Sequence, residues 1–290
     1  MYKHHAALVS KTTPLTVVNP NGIVKLNAIP WANDIDLSMK SLNKIEKLGS
    51  SVYGKTWSDL LLRARSENKL LYEAFGNTTL NATFSEYSEL SLQFKAVSKL
   101  IKNKNVRGVD RDVFHVKVDW FDTHSDMVSV LENRVTEIND SLGSFMAEMK
   151  AQGRWNNVVV MFVSEFARTL IPNTSSGRYV LLILLFPENS SIQTYTHRVA
   201  ISCESDHAWG GNYFVAGGNL TGGKVLGQYI TDFTESSSII FNPGIVIPTT
   251  SWDQVWEPIA KWYGITKDTD LDLVLPSRRN FAGPLSGMFV

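Results

Sequence analysis

Residues 112–126 read Asp112-Val113-Phe114-His115-Val116-Lys117-Val118-Asp119-Trp120-Phe121-Asp122-Thr123-His124-Ser125-Asp126. The first seven have the character of a strand. The last five hold three groups able to bind a metal or move a proton, Asp122, His124 and Asp126. A long amphipathic segment follows. Leu131, Val135, Ile138, Leu142, Phe145 and Met149 recur at helical spacing and give one apolar stripe, with Glu132, Arg134, Glu137 and Asp140 off it. Gly153 ends it. Asn157 to Val163 is then a continuous apolar run of strand length, as expected of a strand buried on both faces. Strand, crossover helix and strand predict a parallel, right-handed βαβ unit over 112–163. The expected fold class is α/β, a mostly parallel sheet flanked by helices. Ligands of such sheets bind at the carboxyl ends of the strands. Asp122, His124 and Asp126 would lie there, with Glu165 after the second strand.

Working outward, two more polar clusters sit beside strand-like segments: Ser164-Glu165-Phe166-Ala167-Arg168-Thr169 and Ser205-Asp206-His207-Ala208-Trp209-Gly210-Gly211. Tyr213 to Ala216 reads as a short strand, and 228–247 as a loop and hairpin. Ser251 opens a last helix. With Gln254 it forms a capping box, Val255, Ile259 and Trp262 are expected to face inward, and Gly264 closes it. The tail through Val290 reads as irregular. Toward the amino end, residues 1–33 read as irregular, a strand pair or an arm. Residues 34–100 are helical in pattern, with stops at Gly49 and Gly76. The whole is expected to be a single α/β domain: 1–104 a mostly helical cover, 105–290 the sheet core with its site, and 178–204 an insertion.

Composition narrows the function. Of 290 residues, 43% are hydrophobic and 19% charged, which suits a globular protein with a real core. A net charge of +0 argues against a dominant nucleic-acid surface, and the basic stretch Lys102 to Arg111 reads as a solvated loop. The single cysteine, Cys203, excludes an intramolecular disulfide and a cysteine-built zinc site. The longest apolar run, Tyr179 to Phe186, is far short of the roughly 20 residues a membrane helix needs. Met1 to Gly22 shows no signal-peptide pattern.

These stretches, with Gly108 to Phe114 and Ile247 to Gln254, resemble the domain of unknown function 1501 family: bacterial-type, often Tat-exported proteins grouped with the alkaline phosphatase and sulfatase superfamily. The resemblance covers roughly 105–290, and 20–100 more weakly. It implies an alkaline phosphatase/sulfatase-like sheet with a metal site at its carboxyl edge, and export. By position, Asp122 and Asp126 match that superfamily's Asp-x-x-x-His element, Glu165-Phe166 its Asp-His pair, and His207 its later His. Asp126 stands where His is usual and Phe166 cannot bind a metal, so two-metal chemistry of the usual kind is not expected. Nothing before Asp112 matches the superfamily's first strand with its Ser/Thr nucleophile, so the chain reads as truncated at its amino end. Residues 178–204 interrupt what would otherwise read Ser-Ser-Gly-Ser-Asp-His, either as an insertion or as a retained intron.

The implied metal ligands are Asp122, His124, Asp126, Glu165 and His207. Mixed oxygen and nitrogen donors suit Zn or Mn better than Ca. Such an ion acidifies a bound water and so supplies a nucleophile without a serine. Arg168 and Asp206 are the candidate catalytic residues, Arg168 holding the oxyanion of a phosphate or sulfate ester through its fork. The expected partner is a small-molecule or carbohydrate ester. Blander readings stand beside each residue. Asp122 and Ser125 could cap the following helix. Glu165 and Arg168 could be a helical ion pair. Asp206 and His207 could order a loop. At the level of function the alternatives are a non-catalytic exported surface or carbohydrate-binding protein, and a nonfunctional fragment.

Overall fold

The apolar stripe of 131–149 belongs to a single helix, Met127–Ala151, whose second half is the more deeply buried: Leu142, Phe145 and Met149 are almost wholly enclosed, Leu131, Val135 and Ile138 only half so. Gly153 follows with a φ of 65°, a left-handed turn that stops the helix where a Cβ would be strained. The computed structural model describes residues 77–123, 127–171, 205–228, 230–234, 236–241 and 244–290, with residues 4–6 and scattered helical residues between 37 and 76. Expectations for His124 to Asp126 and for residues 178–204 fall outside the described residues, as do most of those for 1–33 and 34–71.

The chain divides into two compact units: Met1–Val118 with Asp140–Gln152, and Asp119–Asn139 with Gly153–Val290. In the first unit, α1 (Glu89–Lys102) begins at Ser88, whose hydroxyl accepts from Ser91 N at 3.0 Å. Phe94 of α1 stacks on Phe145 at 4.8 Å between ring centroids. Phe75, Ala96 and Leu100 form a further apolar cluster, with Phe114 packed against it. The basic stretch read as a loop contains a short helix, α2 (Lys104–Arg107), capped by left-handed Gly108. After it, β2 (Arg111–Val113) pairs in parallel with β1 (His4–Ala6). The long helix is α3.

The βαβ expectation fails here. β2 takes β1 as partner, whereas β3 (Val159–Met161) pairs antiparallel with β6 (Val215–Gly217). Every sheet among the described residues has two strands. A mostly parallel, phosphatase- or sulfatase-like sheet flanked by helices is therefore not the fold. The error has a physical source. A continuous apolar run says nothing about which backbone meets its ladder groups, and this one is not buried on both faces as expected: β3 is only half-buried and Val163 is exposed. Aromatic rings do part of the covering there is: Phe162, just beyond β3, stacks on Phe214 at 5.2 Å and meets Phe121 edge-on at 5.9 Å.

The rest of the second unit is three small pieces. β4 (Ala167–Arg168) pairs antiparallel with β5 (His207–Ala208). β7 (Ile240–Phe241) and β8 (Ile245–Val246) form the expected hairpin. Gly210 N donates to Val246 O at 2.9 Å, which ties β5 to the hairpin. The last part opens with α4 (Trp252–Tyr263), and its capping box is complete: Gln254 N donates to Ser251 Oγ at 3.3 Å, and Ser251 N to Gln254 Oε1 at 3.0 Å. Gly264 closes it in a left-handed conformation. Val255, Ile259 and Trp262 are only half-buried, however; the buried residue of α4 is Glu257, paired with Lys261 at 2.6 Å and Arg278 at 3.3 Å. The tail is less irregular than its composition suggests. It carries α5 (Asp268–Val274), which buries Leu271 fully, and a tight 3-10 turn over Arg278–Asn280.

Candidate functional site

The β4–β5 ladder is two residues long and sets one register: Ala167 opposite Ala208, Arg168 opposite His207. Directly opposite residues share a face of the pair. Arg168 and His207 therefore emerge side by side, with no help from helical spacing. The ladder is extended past its end by Thr169, whose N–H donates to Asp206 O at 2.9 Å and whose hydroxyl accepts from Asp206 N at 3.1 Å.

Asp122 meets both side chains. Its Oδ1 lies 2.7 Å from His207 Nε2 and 3.4 Å from Arg168 Nη2. A carboxylate only accepts, so His207 donates here through Nε2. Arg168 is held by backbone as well: Nη2 donates to Phe121 O at 2.8 Å and Nη1 to Ser205 O at 2.5 Å. The guanidinium thus bolts the segment before Asp122 to the segment before His207. Phe166 supplies a floor. Its ring stacks on the His207 imidazole at 4.0 Å with the planes 2° apart, and the Arg168 guanidinium lies 5.2 Å from its centroid. A cation over an aromatic face and a flat stack on an imidazole both restrict the rotation of the groups they hold. Beneath the network, Ser205 is buried and its hydroxyl reaches Met127 Sδ at 3.8 Å. Asp122 and His207 remain about half exposed, at 56% and 49% of their side-chain surface. A held but accessible acid, base and cation is what a site for an anionic ligand requires.

The other expected site residues stand differently. Asp206 is exposed beside His207, its backbone engaged with Thr169. Glu165 is exposed, and its charge is felt at Tyr213: burial first, and then Glu165, push the Tyr213 hydroxyl above its ordinary pKa of 10.0. Glu165 and Arg168 do not lie on a helix, so the helical ion-pair reading lapses; the carboxylate that Arg168 meets is Asp122. Among the described residues no group of three or more His, Cys, Asp and Glu side chains is gathered closely enough to hold a metal ion. His124 and Asp126 lie outside that search. Reading residue by residue assigned no role to Phe166 because it cannot ligate. Its part is to hold His207 and Arg168, and the available signal was its position two residues before an arginine in a strand-like stretch.

The model of the family described as protein of unknown function (DUF1501) matches residues 61–179. That span contains Asp122, Glu165, Phe166 and Arg168 and stops short of Asp206 and His207. It supports the family resemblance read from the motifs over that part of the chain. No curated protein and no solved structure matches.

Proposed function

We propose that the second unit carries a hydrolytic site for an anionic ester, a phosphate or sulfate monoester, built on Asp122, Arg168 and His207. The observation that carries the reading is the convergence on one carboxylate of a histidine and an arginine from positions 85 and 46 residues away. Asp122 orients the imidazole, and the guanidinium beside it offers N–H groups and positive charge to ester oxygens. Phe166 keeps water from one face of both. The His207–Asp122 pair exchanges a proton with the attacking or leaving oxygen. Sequence position adds Asp206, a second carboxylate next to the histidine.

The same reading includes a divalent metal, Zn or Mn. Asp122 and His207 would offer an oxygen and a nitrogen, a mixed donor pair of the kind these ions accept, with the ion taking the place of the Nε2 proton between them. His124 and Asp126 would complete the set; Glu165 is not gathered with Asp122 and His207 closely enough to share an ion. When bound, the ion would supply an acidified water and polarise the ester. The reading rests on these side chains and not on a fold shared with known phosphatases.

The test is metal content by plasma mass spectrometry on the whole chain beside a D122A/H207A double variant, with release of 4-nitrophenol from its phosphate and sulfate esters. Near-stoichiometric Zn or Mn and turnover, both lost in the variant, are expected. Turnover without metal would leave the Asp122–His207 pair as the acid–base unit and remove the metal. Neither metal nor turnover in the natural chain would overturn the hydrolytic reading.

A further inference from the structure

The ionic groups are not the only exposed side chains at this place. Trp120 stands two residues before Asp122 with 73% of its surface exposed, and Trp209 two residues after His207 with 66% exposed. Exposure alternates along β5 and just past it: His207 open, Ala208 buried, Trp209 open. Trp209 is the first residue past β5, at a bend, and is exposed as His207 is. Trp120 is unusual in its backbone. Its φ of 76° makes it the one non-glycine residue with positive φ among those described. A bulky residue keeps that conformation only where its surroundings impose it. Next along the chain, the Phe121 carbonyl is gripped by Arg168.

Single exposed apolar residues are ordinary on any surface, whereas indoles beside a cation–imidazole pair are what ring recognition uses. An indole face takes the flat side of an aromatic ring or the C–H face of a sugar; Arg168 takes a negative head group. We propose that the occupant of this site is an anionic monoester whose alcohol carries a six-membered ring, the head at Arg168 and the ring on Trp209, with Trp120 as the second wall. For the head group this rests on the ester reading given above. Methyl esters and free phosphate lack the ring and are poor ligands. Aryl and sugar monoesters share the ring and differ in how it meets indole.

The test is isothermal titration of the whole chain with non-hydrolysable phosphonates: phenylphosphonate, the phosphonate isostere of glucose 6-phosphate, and methylphosphonate. At least one ring-bearing ligand is expected to bind about tenfold or more tightly than methylphosphonate, in keeping with the strength of a ring–ring contact. W209A should lower the ring ligand to the methylphosphonate level and leave methylphosphonate itself unchanged. W209F, which keeps a ring and guards against misfolding, should restore most of the difference. Which ring ligand wins separates the aryl from the sugar source. Equal affinity for ring and methyl ligands, no binding of any of them, or a preference that survives W209A overturns the proposal. Failure of the hydrolytic reading looks different: tryptophan-dependent binding of the phosphonates with no phosphate released from the corresponding esters would overturn hydrolysis and leave ring recognition standing.

Discussion

Two carboxylates, one in each unit, are held by several donors, and they serve opposite ends. Glu148 of the first unit is fully buried. One of its oxygens accepts from Asn81 N at 2.6 Å and Ala82 N at 2.7 Å, the other from Gln152 Nε2 at 2.8 Å. Neutral N–H groups satisfy it from the loop before α1 and from its own helix, and no solvent reaches it. Asp122 of the second unit is more than half exposed and meets a histidine and an arginine. Glu148 is committed to folding, because its own side chain is closed off from solvent. Asp122 is held in place yet open, and its partners bring the charge and the proton that a ligand needs. On the function proposed above, burial and the kind of donor separate the two carboxylates; the count of hydrogen bonds does not.

The largest way to break that comparison is E148A. It removes the acceptor of two backbone N–H groups at the edge of the core, so unfolding by urea should show a loss of about 2–3 kcal/mol in the first unit. A loss under about 1 kcal/mol would mean that water replaces the carboxylate easily and the contrast is empty. D122N is next. It should change stability by less than about 1 kcal/mol, as exposed pairs do, while ester binding or turnover falls by roughly tenfold or more. A large drop in melting temperature with ligand binding intact would move Asp122 to the structural side.

A smaller effect sharpens the comparison inside the second unit. S251A removes the cap of α4 and should cost about 1 kcal/mol in thermal or urea unfolding, with ester binding unchanged. The smallest concerns pH. Hydrogen bonds from Arg279, then from Arg278, hold the Asp272 carboxyl below its ordinary pKa of 3.8. A depressed carboxyl favours the folded state above its unfolded pKa, and that contribution fades as pH falls through the folded one. Stability of the α5 region should therefore decline only below about pH 4, by less in high salt, and D272N should flatten that part of the profile measured by circular dichroism.

Some of this was legible beforehand and some was not, and the division follows the range of the forces. The stripe from Leu131 to Met149 announced α3 because helical periodicity is local. The Ser251–Gln254 box and Gly264 announced both ends of α4 for the same reason. The alternative that made Arg168 a helical neighbour of Glu165 fails because the stretch is a strand whose partner lies 37 or more residues on, beyond any local signal. Glu148 escaped notice because a glutamate next to Met149 looks like any other helix charge until the loop at Asn81 closes over it. Glu257 on α4 escaped in the same way.

By itself, the sequence determined where α3 and α4 run and end, that three side chains of a kind able to ligate or move a proton stand within Asp122 to Asp126, and that polar residues recur at 164–169 and 205–211. These follow from spacing, capping and side-chain chemistry, all of which act over a few residues. Only tertiary structure decided that β2 and β3 take separate partners, that Arg168 and His207 are directly opposed, and that both reach one oxygen of Asp122. Backbone ladders and long-range hydrogen bonds join whichever segments the collapsed chain brings together, and apolar runs of equal strength leave that choice open.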